Sequence, residues 1–163
     1  MPQTSPIPLA DLQRHLAAGL AGRGPGPEGM DRDVLERARR SLESKRRGAA
    51  SHLLPRIRAA LGTAWKDRFA GHAARYTPSG LLYHVDDAWE LAEILSRGPD
   101  PGLAAAARDD LAILRLRWVR RREAGAGRIR ERRGLLIALL RSPVRLLLLR
   151  LPGTRGKVWR LPA

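Results

Sequence analysis

The stretch LAAAARDDLAILRLRW, residues 103–118, decides the fold class. Its apolar residues recur at spacings of three and four, at Leu103, Ala107, Leu111, Leu114 and Trp118. This is the period of one face of an α-helix. A helix with one apolar face buries that face against other elements, so we expect this long helix to close a helical bundle.

Further helical patterns precede this stretch. Residues 81–95 place apolar side chains on one face and carry an outer acidic stripe of Asp86, Glu90 and Glu93. Trp65, Phe69 and Tyr76 are spaced along one face of an earlier helix, and such an aromatic face is more often core than binding groove. Residues 9–20, 31–53 and 55–61 predict three more helices. The predicted fold class is therefore mainly α, a bundle of about five or six helices with a small C-terminal β-hairpin extension.

Basic side chains are concentrated at the C-terminal end. Residues 101–163 carry 16 basic and four acidic side chains, whereas residues 1–100 carry 15 and 12. Most of the net charge of +15 therefore lies in residues 101–163. Such a surface favours an anionic partner.

The chain is expected to have two parts. We expect the long helix to continue to Arg122, because arginines near a helix C-terminus are favoured by the helix dipole. The glycines and arginines beyond it predict a basic connector up to residue 134. Residues 144–151 and 157–161 flank a Pro- and Gly-containing turn at residues 152–156, which predicts a hairpin. We therefore divide the chain into a helical bundle domain, residues 1–122, and a basic connector with a β-hairpin tail, residues 123–163.

Catalytic motifs are scarce in this sequence. It contains no cysteine, which excludes disulfides and thiolate chemistry. Its four histidines do not have metal-ligand spacing, and no nucleophile elbow or phosphate-binding loop occurs. The pairs Asp86–Asp87 and Asp109–Asp110 are expected near helix N-termini, where the dipole stabilises carboxylates. We therefore expect no enzyme activity, no metal site and no cofactor.

The sequence predicts a cytoplasmic protein without a membrane span. The first 20 residues contain Asp11, Arg14 and His15, and they do not have the pattern of a secretory signal. The most apolar region, residues 135–151, is interrupted by three arginines and a proline. A spanning helix needs about 20 nearly uncharged residues.

Two surfaces are candidates for binding. The candidate residues for a partner or peptide are Arg120, Arg121, Arg122, Arg128, Arg130, Arg132, Arg133, Arg145, Arg150 and Trp159. A possible docking face on the helix at residues 81–95 consists of Tyr83, Asp86, Glu90 and Glu93. Its carboxylates suit either a basic partner or the chain's own arginine-rich tail, and a solvated face is the alternative. No known base-reading motif accompanies the arginines, so sequence-specific nucleic-acid recognition is not predicted.

An ordered set of motifs runs through residues 9–118. It comprises LQRHL at residues 12–16, HLLPRIRAALG at residues 52–62, then Trp65, Phe69, Tyr76, Pro78, Trp89, Leu95 and Leu111. In order and spacing, this set resembles the HvfC/BufC type of bacterial helical protein, whose N-terminal region carries a DNA-binding label. The chain departs from that family at Leu54, where an aromatic residue is usual, and in a much smaller C-terminal region.

The chain also resembles the C-terminal partner domain that some actinobacterial proteins carry fused to a multinuclear non-heme iron-dependent oxidative (MNIO) enzyme. The resemblance implies an accessory role in the biosynthesis of ribosomally made, modified peptides, with iron and catalysis in the other protein. We therefore expect a non-catalytic partner that binds an MNIO-type oxidase, its precursor peptide, or both. The strands at residues 144–151 and 157–161 offer an edge to which a precursor leader can add. The alternative is a DNA-binding or regulatory protein that uses the arginine-rich C-terminal third.

Overall fold

The computed structural model describes residues 8–78, 80–123, 126–132, 136–140, 146–150 and 159–162. Within these ranges, six α-helices are followed by five β-strands. The helices are α1 (Leu9–Leu20), α2 (Arg32–Leu53), α3 (Pro55–Leu61), α4 (Trp65–Arg75), α5 (Tyr83–Ser96) and α6 (Pro101–Arg117), with a 3-10 turn at Gly62–Ala64. The strands are β1 (Trp118–Glu123), β2 (Ala126–Glu131), β3 (Leu136–Leu140), β4 (Leu146–Arg150) and β5 (Trp159–Pro162). The predicted fold class, mainly α with a C-terminal β extension, is confirmed.

Carboxylates determine where α2 and α6 begin. Asp31 Oδ1 accepts a hydrogen bond from the backbone N–H of Asp33 at 2.7 Å. Asp100 Oδ1 does the same for Leu103 at 3.0 Å. These side chains satisfy donors that the first turn of a helix leaves unpaired. Pro101 then occupies the first position of α6, where its missing N–H has no cost.

The apolar core lies between α3, α4, α5 and α6, and Ala50 of α2 also belongs to it. Ile57, Phe69 and Val85 are completely buried, and Trp65 and Trp89 are nearly so. The aromatic residues Trp65 and Phe69 therefore belong to the core, as their helical spacing predicts. Burial of each large apolar side chain contributes about 1.5–3 kcal/mol, so this cluster is a main source of stability.

The long helix is shorter than the sequence predicts. α6 ends at Arg117, and Trp118 already has the extended dihedral angles φ −132° and ψ 157°. β1 then pairs antiparallel with β2, with Trp118 opposite Glu131 and Arg120 opposite Ile129. The helical prediction to Arg122 was wrong because Trp118 continues the helical spacing of α6, whereas its backbone is extended and pairs with β2. The predicted basic connector likewise contains β2.

The predicted C-terminal hairpin is confirmed in its strands. β4 pairs antiparallel with β5 through Leu146–Pro162 and Leu149–Trp159, among others. The sequence did not predict β3, which pairs with the other side of β4. The turn predicted at residues 152–156 lies outside the described residues. In the described part of the chain, no helix has both the length and the apolar character needed to cross a membrane.

The first hairpin is attached to the helical core. Trp118 of β1 is buried in the core cluster, and Ile129 of β2 packs against that cluster. β3 also lies beside α6. The division of the chain between residues 122 and 123 remains a prediction, but β1 and β2 share the apolar core of the bundle.

Candidate functional site

Arg120 of β1 lies against three carboxylates of α5, Asp86, Glu90 and Glu93, which we call the acidic trio. Arg120 Nε is 2.9 Å from Asp86 Oδ1. Arg120 Nη1 is 2.7 Å from Glu90 Oε2 and 3.5 Å from Glu93 Oε2. The Arg120 side chain is only 6% exposed. Since a buried cation needs close counter-charges to offset its lost hydration, Arg120 and the acidic trio form one electrostatic unit.

Tyr76 completes this unit from the C-terminal end of α4. Its hydroxyl donates to Asp86 Oδ2 at 2.5 Å and accepts from Arg120 Nη2 at 3.0 Å. Burial, and then the hydrogen bond to Asp86, raise the pKa of Tyr76 above its usual value. Burial alone would lower the pKa of Arg120, but the hydrogen bond with Glu90 and the charge of Asp86 raise it overall. The phenol therefore stays protonated and the guanidinium stays charged.

The spacing of the acidic trio puts its members on one face of α5. Positions 86, 90 and 93 are four and three residues apart, so they are neighbours on a helix surface. The sequence predicted this face as an outer stripe, which is wrong for Asp86, whose side chain is only 1% exposed. Arg120, an arginine of the same chain, occupies this acidic face. The sequence had left either a basic partner or the chain's own arginines as its occupant. Tyr83, at the start of α5, is exposed and contacts His84 edge to face.

A second charged cluster joins α2, α4 and α5. Arg46 Nε donates to Asp87 Oδ2 at 2.8 Å, and Arg46 Nη2 donates to Asp87 Oδ1 at 3.0 Å. His72 Nε2 lies 2.8 Å from Asp87 Oδ1. Burial alone would raise the pKa of Asp87, but hydrogen bonds from His72 and Arg46 hold it below its usual value. Asp87 is therefore a buried, ionised carboxylate with two partners.

The Asp87–His72 pair has a structural role. Aspartates orient catalytic histidines in hydrolases, but the His72 side chain is only 3% exposed. Its ring stacks on Tyr76 with centroids 5.4 Å apart and meets the edge of Phe69 at 5.8 Å. A substrate cannot reach this imidazole without opening the core, so we assign the pair to the packing of three helices.

A third cluster connects α6 to the beginning of α3. Asp110 Oδ2 accepts the backbone N–H groups of Arg56 and Ile57, each at 3.0 Å. Arg56 Nη1 is 3.5 Å from Asp110 Oδ1, and Arg56 Nε is 3.7 Å from Asp109 Oδ2. Burial raises the pKa of Asp110 to about 6, against the hydrogen bond from Ile57 and the charge of Arg56. The expectation that Asp109 and Asp110 lie near the N-terminus of their own helix was wrong, because both lie in the middle of α6. From there Asp110 caps α3, and Asp109 lies near the Arg56 side chain.

The predicted basic surface is only partly brought together. Arg121 of β1 and Arg130 of β2 are exposed, whereas Arg120 is enclosed by the acidic trio. Arg132 is half-buried, and its Nε donates to the carbonyl of Trp118 at 3.3 Å. Arg122 lies in β1, Arg128 in β2, Arg150 in β4 and Trp159 in β5. Arg133 and Arg145 lie outside the described residues.

The described residues offer no metal centre. Among them, no group of three or more histidine, aspartate or glutamate side chains is placed to hold a metal ion. The three charged clusters instead pair each carboxylate with an arginine, a histidine or backbone N–H groups. These clusters hold the helices together and fix the first hairpin to the bundle.

These features define a class: a helical bundle held by buried ion pairs, with an arginine-bearing hairpin packed on it and a second small sheet beyond. The chain belongs to the family described as SCO6045-like, C-terminal domain, whose model matches residues 10–97, more than half of the chain. That match covers α1 to α5 and includes the acidic trio, whereas Arg120 lies beyond its end. No curated protein and no solved structure matches the chain.

Sequence reasoning missed several residues of these clusters. Arg46, Tyr76 and Asp110 were not singled out as partners of other charges. A signal was available for Arg46, because it occurs on the same face of α2 as the buried residues Leu35 and Ala50. Arginine is almost never fully buried unless it is paired, so a position next to the buried Ala50 indicates an ion pair. No comparable signal marks Asp110, whose partners are backbone groups more than 50 residues away.

Proposed function

We propose that this protein is a non-catalytic partner that binds an MNIO-type peptide-modifying oxidase, its ribosomally made precursor peptide, or both. The observation that carries the proposal is the three-stranded antiparallel sheet in the order β3-β4-β5. This sheet follows an arginine-bearing hairpin in a strongly basic region. The resemblance described above supplies the identity of the partners, and the sheet supplies a means of binding a peptide.

The sheet supports strand addition because its central strand is β4. β3 lies beside α6, so we assign the peptide to the edge formed by β5. Within the described residues, no strand pairs with the other edge of β5. An extended peptide can add there through main-chain hydrogen bonds, while side-chain contacts provide specificity.

The exposed arginines of the first hairpin support an acidic peptide as the ligand. Arg121 and Arg130 are exposed on β1 and β2, and the acidic trio is already engaged by Arg120. A guanidinium forms strong, geometrically defined hydrogen bonds with carboxylates. We therefore expect acidic residues of the precursor leader to pair with these two arginines.

The test is a binding measurement with a labelled precursor peptide encoded beside an MNIO-type oxidase in the same genome. Truncation after Arg133 removes β3, β4 and β5 but retains β1 and β2, and it should abolish binding. A second pair of variants, Arg160→Pro and Leu161→Pro, keeps the full chain. Alternate residues of an edge strand direct their N–H groups toward or away from the neighbouring strand. One of these prolines should therefore block peptide addition without breaking the pairing with β4.

Co-purification with the oxidase, at about 0.3 M salt to suppress nonspecific charge contacts, tests the other partner. A stable complex with oxidase or peptide supports the proposal. Unchanged peptide affinity in the truncated protein and in both proline variants refutes binding at the sheet edge. Failure to bind either partner refutes the accessory role.

The second candidate is a DNA-binding or regulatory protein. It is favoured by the same exposed arginines and by the net charge of +15. Binding through phosphates should weaken with salt, with a log-log slope of about −0.9 for each phosphate neutralised. DNA binding with this salt dependence, without binding of oxidase or precursor, would favour this second function.

A further inference from the structure

The acidic trio is supplied by one part of the chain and its cation by another. Asp86, Glu90 and Glu93 belong to the family-matched segment, residues 10–97, and Arg120 follows it by more than 20 residues. Arg120 reaches the trio because β1 pairs with β2 and because Trp118, two residues earlier, is buried in the helical core. The contact therefore joins the family-matched segment, residues 10–97, to the β1–β2 hairpin.

We propose that the acidic trio and Tyr76 form a guanidinium-binding pocket on α5, which Arg120 fills from within the chain to hold the β1–β2 hairpin on the bundle. The ligand class is an alkyl guanidinium, the head group of an arginine side chain. This inference does not rest on the proposed function, because it concerns a contact inside the chain.

The geometry fits a guanidinium better than an ammonium. Three different nitrogens of Arg120 contact the pocket: Nη2 donates to the Tyr76 hydroxyl, Nη1 lies against Glu90 and Glu93, and Nε lies 2.9 Å from Asp86 Oδ1 without a hydrogen bond to it. A lysine presents its donors from a single atom and cannot reach these separated acceptors together. The burial of Arg120 shows that the pocket encloses the group rather than contacting it at the surface.

The neighbouring residue provides a matched control. Arg121 follows Arg120 in β1, but it is exposed, since successive residues of a strand point to opposite faces. Arg120→Ala should lower the melting temperature by about 6–15 °C, because it removes the cation that contacts the buried Asp86 and the half-buried Glu90. Arg121→Ala should change it by less than about 2 °C.

Chemical rescue tests for a pocket as opposed to a general loss of packing. Arg120→Ala is titrated with millimolar ethylguanidinium, and ethylammonium at the same concentrations serves as the ligand control. Ethylguanidinium should recover part of the lost melting temperature in Arg120→Ala, because a ligand of the folded state stabilises it. Ethylammonium should recover less, and neither compound should stabilise Arg121→Ala.

Two full-length variants keep the test decisive if Arg120→Ala does not fold. Arg120→Lys retains the positive charge but not the separate donor nitrogens of the guanidinium. Its melting temperature should therefore be lower than that of the wild type. Adding Glu90→Gln to Arg120→Ala should restore part of the stability, because it removes one negative charge that Arg120 no longer offsets. Equal melting temperatures for the Arg120→Lys and wild-type proteins would overturn the inference. So would equal rescue by the two compounds, or no gain from Glu90→Gln.

Discussion

Arg46 and Asp87 form a two-pronged ion pair between α2 and α5, with N–O distances of 2.8 Å and 3.0 Å. The Asp87 side chain is completely buried, and that of Arg46 is 10% exposed. Arg46 also donates to the backbone carbonyl of Tyr76 at 2.9 Å. Removal of one member of such a pair leaves the other charge buried without its main partner.

The first prediction concerns the free energy of unfolding of Arg46→Met. We expect it to fall by about 3–5 kcal/mol, because Asp87 keeps its charge in the core. The matched control is Arg40→Met on the same helix, where the arginine side chain is 74% exposed and lies 3.2 Å from Glu36. That change should cost less than about 1 kcal/mol. Urea denaturation measures both values, and similar losses would contradict a special role for Arg46.

The second prediction concerns the pH dependence of stability due to Asp110. Its pKa in the folded protein is raised to about 6 from an ordinary value of 3.8. The native state therefore binds this proton more tightly than the unfolded state does. The stabilisation is fully present below the unfolded pKa and is lost as pH rises through about 6. Asp110→Asn removes this titration while retaining an oxygen that can accept the N–H groups of Arg56 and Ile57.

The measurement is the difference in unfolding free energy between wild type and Asp110→Asn across pH 4 to pH 7. The wild type should lose stability relative to the variant as pH rises through this window. Asp67→Asn, at an exposed position of α4, is the control for a surface carboxylate. Asp87 acts in the opposite sense, because its lowered pKa gives stability that is lost as pH falls. Asp87 is present in both proteins, so its contribution cancels in the difference. A difference in unfolding free energy that does not change with pH would contradict the assignment to Asp110.

Most of the helical architecture could be predicted from the sequence, because the apolar periodicity and the capping residues agree. Asp31 and Asp100 cap helices that the periodicity also indicates. The end of α6 could not be predicted, because Trp118 continues the helical spacing and the arginines after it also suit a helix C-terminus. Whether residues 118–123 form a helix or a strand depends on pairing with β2. That contact is not encoded in the local sequence.

The candidate site was only partly predictable for a similar reason. The spacing of the acidic trio on one face of α5 follows from the sequence, and its affinity for the chain's own arginines follows from charge. Which arginine fills it depends on the strand register, which turns Arg120 inward and Arg121 outward. Local sequence could not distinguish these two adjacent and chemically identical residues.

The third prediction compares two glycines within helices. Gly19 of α1 is buried, and a Cβ there would lie 2.8 Å from the backbone Cα of Gly26. Gly71 of α4 has no atom within 4 Å of such a Cβ. Gly71→Ala should stabilise the protein by about 0.5–1 kcal/mol, because alanine favours the helix. Gly19→Ala should instead destabilise it, because backbone at Gly26 must move.

Thermal unfolding of the two alanine variants checks this comparison. The two substitutions have the same helical preference, so opposite shifts in melting temperature isolate the close approach of α1 to the loop at Gly26. A gain of stability in Gly19→Ala similar to that in Gly71→Ala would show that α1 does not pack closely against that loop.

The fourth prediction separates the exposed hairpin arginines from the general basic charge. The double variant Arg121→Glu/Arg130→Glu should weaken binding of an acidic precursor leader by at least about a hundredfold, because each of the two lost charge-assisted hydrogen bonds costs about 1.5–3 kcal/mol. The control Arg68→Glu/Arg97→Glu makes the same change in net charge at two exposed positions elsewhere on the bundle. Fluorescence anisotropy at 0.15 M salt measures both affinities. Equal losses would mean that the ligand responds to total charge, as a nonspecific polyanion does, and that the hairpin does not form a defined binding surface.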